Sequence, residues 1–294
     1  MFCKLCKSLN LNIEYSGPIR SGGANSKTEE GFKVFYCLDC DCRFLSPVPS
    51  AIDKYYSKKD YWEKHHGKLS IQRLQQKLDP EQFRWKSEIE PSFFRNKVVV
   101  DYGCGCGLFL DGISKIACKT IGIDKAGFFA DHLHENGHLL HTDICSLKTS
   151  SIDTIVTFDT LEHLENPTQT ITQLSKVLKQ EGDLFIGVPN FNDFLKKLVP
   201  AYLPFFYHKS HLFYFTEKCL KLLIEKSKMT HISTVFVHKY NIENSITWAR
   251  ESKPQGKIQS SVFDKFTEDT FRTNIERQGL SSHILIHAKK QTKE

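Results

Sequence analysis

The chain has 294 residues, 40% hydrophobic and 12% aromatic, which is enough for a packed core and too apolar for a disordered chain. Lys and Arg number 40 against 34 Asp and Glu, and the resulting charge of +6 does not by itself indicate a nucleic-acid binder. The longest uncharged aromatic-rich run, 198–207, is far shorter than the roughly 20 residues of a membrane-spanning helix. Because the first residues, MFCKLCK, contain no apolar stretch of the kind a secretory signal needs, we expect a cytoplasmic protein.

Two cysteine pairs near the N-terminus share one spacing, with two residues between the thiols of each pair. That spacing lets a tight turn point both sulfurs at one metal, and four sulfurs complete a tetrahedral zinc shell. The residues between the pairs, 7–36, form a longer gap than the usual 15–20 or so, and the glycines and asparagine within 22–25 predict a loop that takes up the excess. We predict a structural zinc ribbon over 1–48, with Cys42 as a small buried residue. The predicted zinc ligands are Cys3, Cys6, Cys37 and Cys40.

After the ribbon, the polar and aromatic-rich segment 49–96 is predicted to be a helical cap or linker, with helices around 55–62 and 69–78. From residue 97 the pattern changes to alternating strands and helices, which is typical of a doubly wound parallel sheet. The predicted strands are 98–100, 120–123, 138–141, 152–158, 184–188, 232–237 and 283–287. The predicted helices begin at Gly107, near Ala126, at Asn166 (ending at Gly182) and at Thr216, and a further one covers 262–277. These elements predict an α/β protein with a Rossmann-like, seven-stranded, mostly parallel sheet over 97–294, including a lid segment at 191–215 and an insertion at 241–279.

The first strand of this sheet leads directly into a glycine-rich loop, DYGCGCG, at 101–107. Glycines at alternate positions allow a tight turn and a close approach of the backbone to a ligand. Asp124 ends the next predicted strand, where a carboxylate accepts the two hydroxyls of a ribose, and Asp143 follows the third. Position 108 is Leu, so the dinucleotide pattern is incomplete, and the Gly-Lys-Ser/Thr of a phosphate loop is absent. The loop therefore suits a nucleoside ligand without a pyrophosphate.

Residues 97–190 resemble a class I S-adenosylmethionine-dependent methyltransferase in the stretches VVVDYGCGCG, TIGIDKAG, HTDI, FDTLEHLENP and GDLFIGVPN. The ribbon and its junction, CLDCDCRFLSPVPSAIDKYYSKKDYW, resemble a subgroup with two Cys-x-x-Cys knuckles before the catalytic domain, which includes the sugar C-methyltransferases. The resemblance implies S-adenosylmethionine as cofactor. It implies that Asp101, Gly103, Gly105 and Gly107 line the methionine side, that Asp124 holds the ribose, that Asp143 and Ile144 meet the adenine, and that Phe158 and Asp159 lie near the sulfonium.

Methyl transfer to a hydroxyl or an acidic carbon is helped by a general base, and two histidines are candidates by position. His211 lies in the stretch HKSHLFYFT, which is similar to a stretch of the sugar C-methyltransferases that carries a Glu-His pair with the His as base; here Ser210 stands in place of that Glu. His163 lies in Asp159-x-x-Glu162-His163, which resembles a stretch linked to a divalent cation in the ubiquinone-pathway O-methyltransferases. The alternatives are that His163 orders a loop and that His211 is a hydrogen-bonded wall residue.

Three classes of function are compatible with these patterns. The first is a methyltransferase that acts on oxygen or carbon of a small-molecule or sugar-type acceptor. The second is an RNA or protein methyltransferase, favoured by net charges of +4 before residue 97 and +7 after residue 190. Against it, no Asn/Asp-Pro-Pro-Tyr/Phe stretch follows the fourth strand, and no dense Lys/Arg stripe with interleaved aromatics is present. The third is a cofactor-binding module without turnover. The acceptor, the methylated atom and the oligomeric state are not predicted by the sequence.

Overall fold

The computed structural model describes residues 1–21, 27–49, 71, 73, 87–252 and 262–291. The helices predicted at 55–62 and 69–78 and the loop predicted at 22–25 lie outside these residues, except for the single positions 71 and 73. The chain divides into two compact units. The ribbon unit contains Met1–Ser50, Pro189–Cys219 and Val235–Ile284, and the sheet unit contains Ala51–Val188, Leu220–Thr234 and Leu285–Glu294.

Strands and helices alternate along most of the described chain. The strands are β1 Leu11–Tyr15, β2 Ile19–Arg20, β3 Thr28–Glu29, β4 Lys33–Cys37, β5 Arg43–Ser46, β6 Val98–Tyr102, β7 Lys119–Ile123, β8 Leu139–His141, β9 Ile152–Phe158, β10 Leu178–Pro189, β11 Phe213–Tyr214, β12 Met229–Val237 and β13 His283–Lys290. The α-helices are α1 Leu108–Ile113, α2 Ala130–Glu135, α3 Pro167–Val177, α4 Leu195–Leu198, α5 Leu203–Phe206, α6 Glu217–Lys226, α7 Ile242–Glu251 and α8 Lys265–Arg277. Within these ranges no helix is long and apolar enough to cross a membrane.

The large sheet has seven strands in the order β12-β13-β10-β9-β6-β7-β8. Its pairs β6/β7, β6/β9, β7/β8 and β9/β10 are parallel. The central strands are built from β-branched residues and are buried, with Val99, Val100, Ile155 and Val156 fully inaccessible, because helices cover both faces of such a sheet. The predicted Rossmann-like fold is confirmed.

The sequence predicted the beginning of α3 correctly and its end incorrectly. The Asn166 side chain accepts the Gln169 N–H at 3.1 Å, so the predicted cap is confirmed. The predicted end at Gly182 is wrong, because the helix stops at Val177 and Gly182 lies within β10. A Cβ at Gly182 would lie 3.0–3.1 Å from two backbone carbonyl oxygens, so this glycine serves a close backbone approach rather than a helix end.

The ribbon unit contains a four-stranded sheet in the order β1-β4-β5-β11. Its last strand belongs to the segment 191–215 that was predicted as a lid, and Phe213 pairs antiparallel with Phe44 of the ribbon. A second link joins the two segments, since the Thr216 hydroxyl donates to Asp41 at 2.6 Å. The ribbon and this segment therefore share one folded body, and the domain boundaries 1–48, 49–96 and 97–294 stay a prediction.

The insertion 241–279 contains α7, which the sequence did not predict, and α8, which is shorter than predicted. The latter begins at Lys265 rather than Val262, because Asp264 accepts the Thr267 N–H at 2.8 Å and so caps it. Val262, 81% exposed, lies before the cap.

Candidate cofactor and metal sites

The glycine loop between β6 and α1 has a backbone that only glycine adopts readily. Gly103, Gly105 and Gly107 have φ angles of +85°, +51° and +79°. A Cβ at Gly103 would collide with the Thr160 side chain, and one at Gly107 would collide with Leu133. The positive φ angles thus favour glycine at all three positions, and at Gly103 and Gly107 the available space excludes a side chain as well.

Asp124, directly after β7, ties this loop to the neighbouring strand. Its Oδ2 accepts the Gly105 N–H at 2.9 Å, and its Oδ1 accepts the Ala126 N–H at 2.7 Å. A carboxylate oxygen has two acceptor positions, so each oxygen keeps capacity for a further donor such as a ribose hydroxyl.

Asp101, at the end of β6, is only 5% exposed. Burial, and then the like charge of Asp124, raise its pKa from 3.8 to about 8. Burial also raises the pKa of Asp124, although the Ala126 and Gly105 N–H groups act in the opposite direction. Between pH 3.8 and about 8 the folded protein holds a proton on Asp101 that the unfolded chain has released, so this group lowers stability as the pH rises through that window. Asp101 is buried and Asp124 half-buried at this edge, and a cationic ligand would favour the ionised forms of both.

The other predicted cofactor residues follow β8 and β9. Asp143 is exposed and its Oδ1 accepts the Cys145 N–H at 2.8 Å, while the adjacent Ile144 is buried. Phe158 is buried at the end of β9, and Asp159 has a φ of +47° and donates its N–H to the Gly187 carbonyl at 2.9 Å. Because β6 to β9 are parallel, their carboxyl ends meet at one edge of the sheet, so the structure brings all the predicted cofactor residues to the same edge.

Two residues of this edge were missed by sequence reasoning. Thr160 packs against Gly103, and Gly122 within β7 faces the Cys104 sulfur, which a Cβ there would approach to 2.5 Å. The glycine inside a strand was a usable signal, since such glycines mark close approaches. No sequence signal identified Thr160, because its contact with the loop arises only from the sheet order.

The two candidate bases lie in different units. His163 ends the 3-10 turn Leu161–His163 of the sheet unit, with its Nε2 3.9 Å from Glu162 Oε1. Glu162 is 1% exposed, and burial followed by the charge of Asp159 raises its pKa well above the ordinary value. His211 belongs to the ribbon unit, where its ring centroid lies 3.6 Å from that of His208. The catalytic role of either histidine stays a prediction.

The four predicted zinc ligands converge in the ribbon unit. Their sulfurs all lie within 4.8 Å of one another, and the pairs Cys3/Cys40 and Cys6/Cys37 are each separated by 3.5 Å. In a tetrahedral site with Zn–S bonds of about 2.3 Å, neighbouring sulfurs are about 3.8 Å apart, so the residues fit such an ion. Cys42 is fully buried, as predicted.

Comparison with known proteins identifies the family. The methyltransferase-domain family matches residues 72–230, more than half of the chain. The chain therefore belongs to this family, and its fold is that of a class I S-adenosylmethionine-dependent methyltransferase. A solved structure of an S-adenosylmethionine-dependent methyltransferase from Archaeoglobus fulgidus is similar, with a TM-score of 0.51 and 20% identity, over 78% of this chain and 98% of that one.

Curated relatives match a smaller part of the chain. The mitochondrial ubiquinone biosynthesis O-methyltransferase of Dictyostelium discoideum is 29% identical over 31% of this chain and 35% of its own length. The ubiquinone biosynthesis O-methyltransferase of Xanthomonas axonopodis pv. citri is 26% identical over 48% of this chain and 61% of its own length. The chain thus spans between about a third and three fifths of the length of these relatives.

Proposed function

We propose that the protein binds S-adenosylmethionine at the carboxyl edge of its large sheet and transfers the methyl group to an oxygen or carbon atom of a small-molecule acceptor in the cytoplasm. The observation that carries this proposal is the positive-φ glycine loop whose Gly105 N–H is held by Asp124. Further support comes from the family match and from curated relatives named as O-methyltransferases. A sugar-type acceptor is one member of the proposed substrate class.

The residues at this edge suit the parts of the cofactor. Asp124 would accept the ribose hydroxyls, and Asp143 with Ile144 would contact the adenine. Asp101 and the glycine loop would hold the methionine end, whose ammonium group would favour the ionised form of the buried Asp101 carboxyl. When bound, the cofactor supplies a methyl group on a good leaving group, and the protein supplies orientation.

A hydroxyl acceptor loses its proton when it is methylated, and we propose that His163 or His211 accepts this proton. Both imidazoles are half-buried, and histidine is the side chain most often used as a general base. The test replaces each histidine by Gln in turn. Substitution of the histidine that acts as base should lower kcat and leave the affinity for S-adenosylmethionine unchanged.

The ribbon is proposed to hold one structural zinc ion through Cys3, Cys6, Cys37 and Cys40. The sulfur separations support this assignment, since four thiols converge on one point. A closed shell of four cysteines leaves no position for substrate, so the metal would stabilise the ribbon unit rather than take part in methyl transfer.

The activity is tested with the full chain in two stages. Calorimetry with S-adenosylmethionine comes first, and saturable binding is expected. Incubation of metabolite extracts with methyl-labelled cofactor follows, and a labelled small molecule is expected. Label found only in RNA or protein would show that the acceptor is a macromolecule and would refute the proposed substrate class. The absence of cofactor binding would refute the whole proposal.

A further inference from the structure

A buried histidine beneath the glycine loop joins the two elements that build the cofactor edge. His138, just before β8, is 1% exposed and has both ring nitrogens engaged. Its Nδ1 lies 2.7 Å from Thr120 Oγ1 on β7, and its Nε2 lies 2.9 Å from Asp111 Oδ1 on α1. We call this Thr120–His138–Asp111 arrangement the histidine bridge.

The chemistry of the two partners determines which hydrogen bond of the bridge His138 donates and which it accepts. A carboxylate only accepts, so His138 Nε2 carries a hydrogen and donates it to Asp111. In the neutral ring Nδ1 is then bare and accepts the hydroxyl hydrogen of Thr120. The same Asp111 oxygen also accepts the Asn136 side-chain N–H at 2.9 Å, so two side chains hold its position.

Each end of the bridge is on an element that adjoins a proposed cofactor residue. Thr120 is on the same strand that leads to Asp124, and Asp111 donates its backbone N–H to the Gly107 carbonyl at 2.9 Å in the first turn of α1. A Cβ at Gly107 would lie 3.8 Å from His138 Cδ2, so the imidazole lies beside the last glycine of the loop.

Several links from β7 set the spacing between the strand and the elements that follow the glycine loop. Gly103 and Cys104 donate their backbone N–H groups to the Ile123 carbonyl at 2.7 and 3.3 Å, and two further links involve side chains. One is the Gly105–Asp124 hydrogen bond, which lies at the ligand edge. The other is the histidine bridge, which no ligand atom needs to touch because His138 is buried. The backbone links and the histidine bridge are both independent of the Asp124 side chain, but the bridge differs from the others because it holds α1, the helix into which the loop leads.

We propose that His138 is a positioning residue for the cofactor, acting through Asp111 and Thr120 on the glycine loop. This inference rests on the proposed binding of S-adenosylmethionine. Loss of the bridge lets α1 and the loop move relative to Asp124. We expect this movement to weaken cofactor binding by about tenfold, which corresponds to the weaker end of a hydrogen bond to a charged group such as the Asp111 carboxylate. The chemistry at saturating cofactor is unaffected, so KM for S-adenosylmethionine rises while kcat stays the same.

The test compares His138→Leu, which removes both hydrogen bonds, with His138→Gln, which keeps a donor in reach of Asp111. The matched control is His134→Leu on the exposed face of α2. Calorimetry with S-adenosylmethionine and urea unfolding without ligand are measured for each protein. We expect about tenfold weaker binding for His138→Leu, substantial recovery for His138→Gln, and wild-type binding for the control.

The outcomes separate this inference from the proposed function. Failure of the wild-type protein to bind S-adenosylmethionine refutes the function. Wild-type binding together with unchanged affinity in a folded His138→Leu protein overturns the histidine bridge alone. If His138→Leu does not fold, Thr120→Val takes its place, since it removes one hydrogen bond with little change in shape, and unchanged affinity in that variant has the same meaning.

Discussion

Replacing Asp124 by Asn perturbs the cofactor edge with a change of very few atoms. The carboxylate accepts the Gly105 N–H through one oxygen and the Ala126 N–H through the other. Asn keeps one accepting oxygen and places an NH2 group at the other position, so one backbone N–H loses its acceptor. The negative charge that would receive the ribose hydroxyls is lost as well.

The expected loss of affinity follows from the proposed hydrogen bonds. A hydrogen bond to a charged group contributes about 1.5–3 kcal/mol. Losing that amount weakens S-adenosylmethionine binding roughly 10- to 150-fold. The unpaired backbone N–H costs a further 1–3 kcal/mol or so, which is expected in the free energy of unfolding of the ligand-free protein.

Calorimetry measures the dissociation constant, and urea unfolding confirms that the variant is folded under the binding conditions. Asp131→Asn is the control, because Asp131 is an exposed carboxylate in the first turn of α2. A folded Asp124→Asn protein that binds S-adenosylmethionine within twofold of wild type would refute the assignment of Asp124 to the ribose.

Two other perturbations test the acidic edge and the ribbon. The raised pKa of Asp101 makes the protein less stable as the pH rises from 3.8 to about 8. Between pH 5 and 7 the free energy of unfolding of Asp101→Asn should therefore fall by about 1–3 kcal/mol less than that of the wild type, as measured by urea unfolding. Equal pH dependence in the two proteins would show that Asp101 is not the cause. Cys37→Ser removes one of four converging thiols and should abolish the binding of one zinc per chain, as measured by elemental mass spectrometry, whereas Cys118→Ser at an exposed site should retain it. Zinc retained in full by Cys37→Ser would mean that these cysteines do not form the site.

The central strands of the sheet could be predicted because runs of consecutive apolar residues indicate strands that are buried on both faces. The β-branched runs at β6 and β9 are buried on both faces, so they differ from every polar segment around them. The two residues of β11 carry no such pattern, and their pairing with Phe44 and Arg43 joins segments that are distant in sequence. The shared body of ribbon and lid segment was therefore not predictable.

Some residues of the candidate site could likewise be located from the sequence, and others could not. Gly103, Asp124 and the cysteine pairs were predictable because their spacing is local and chemically unusual. His138 was not, since the chain has 13 histidines and its partners are 18 and 27 residues away. Gly182 was misread because glycine both ends helices and permits close backbone contacts.

A crystal structure of the protein grown with S-adenosylmethionine would decide whether the glycine loop and Asp124 form a cofactor site. We expect the ribose hydroxyls within hydrogen-bonding distance of Asp124 and the methionine end beside Gly103 and Asp101. A cofactor bound elsewhere on the chain, or an edge closed by the protein's own side chains at saturating ligand, would contradict the proposal.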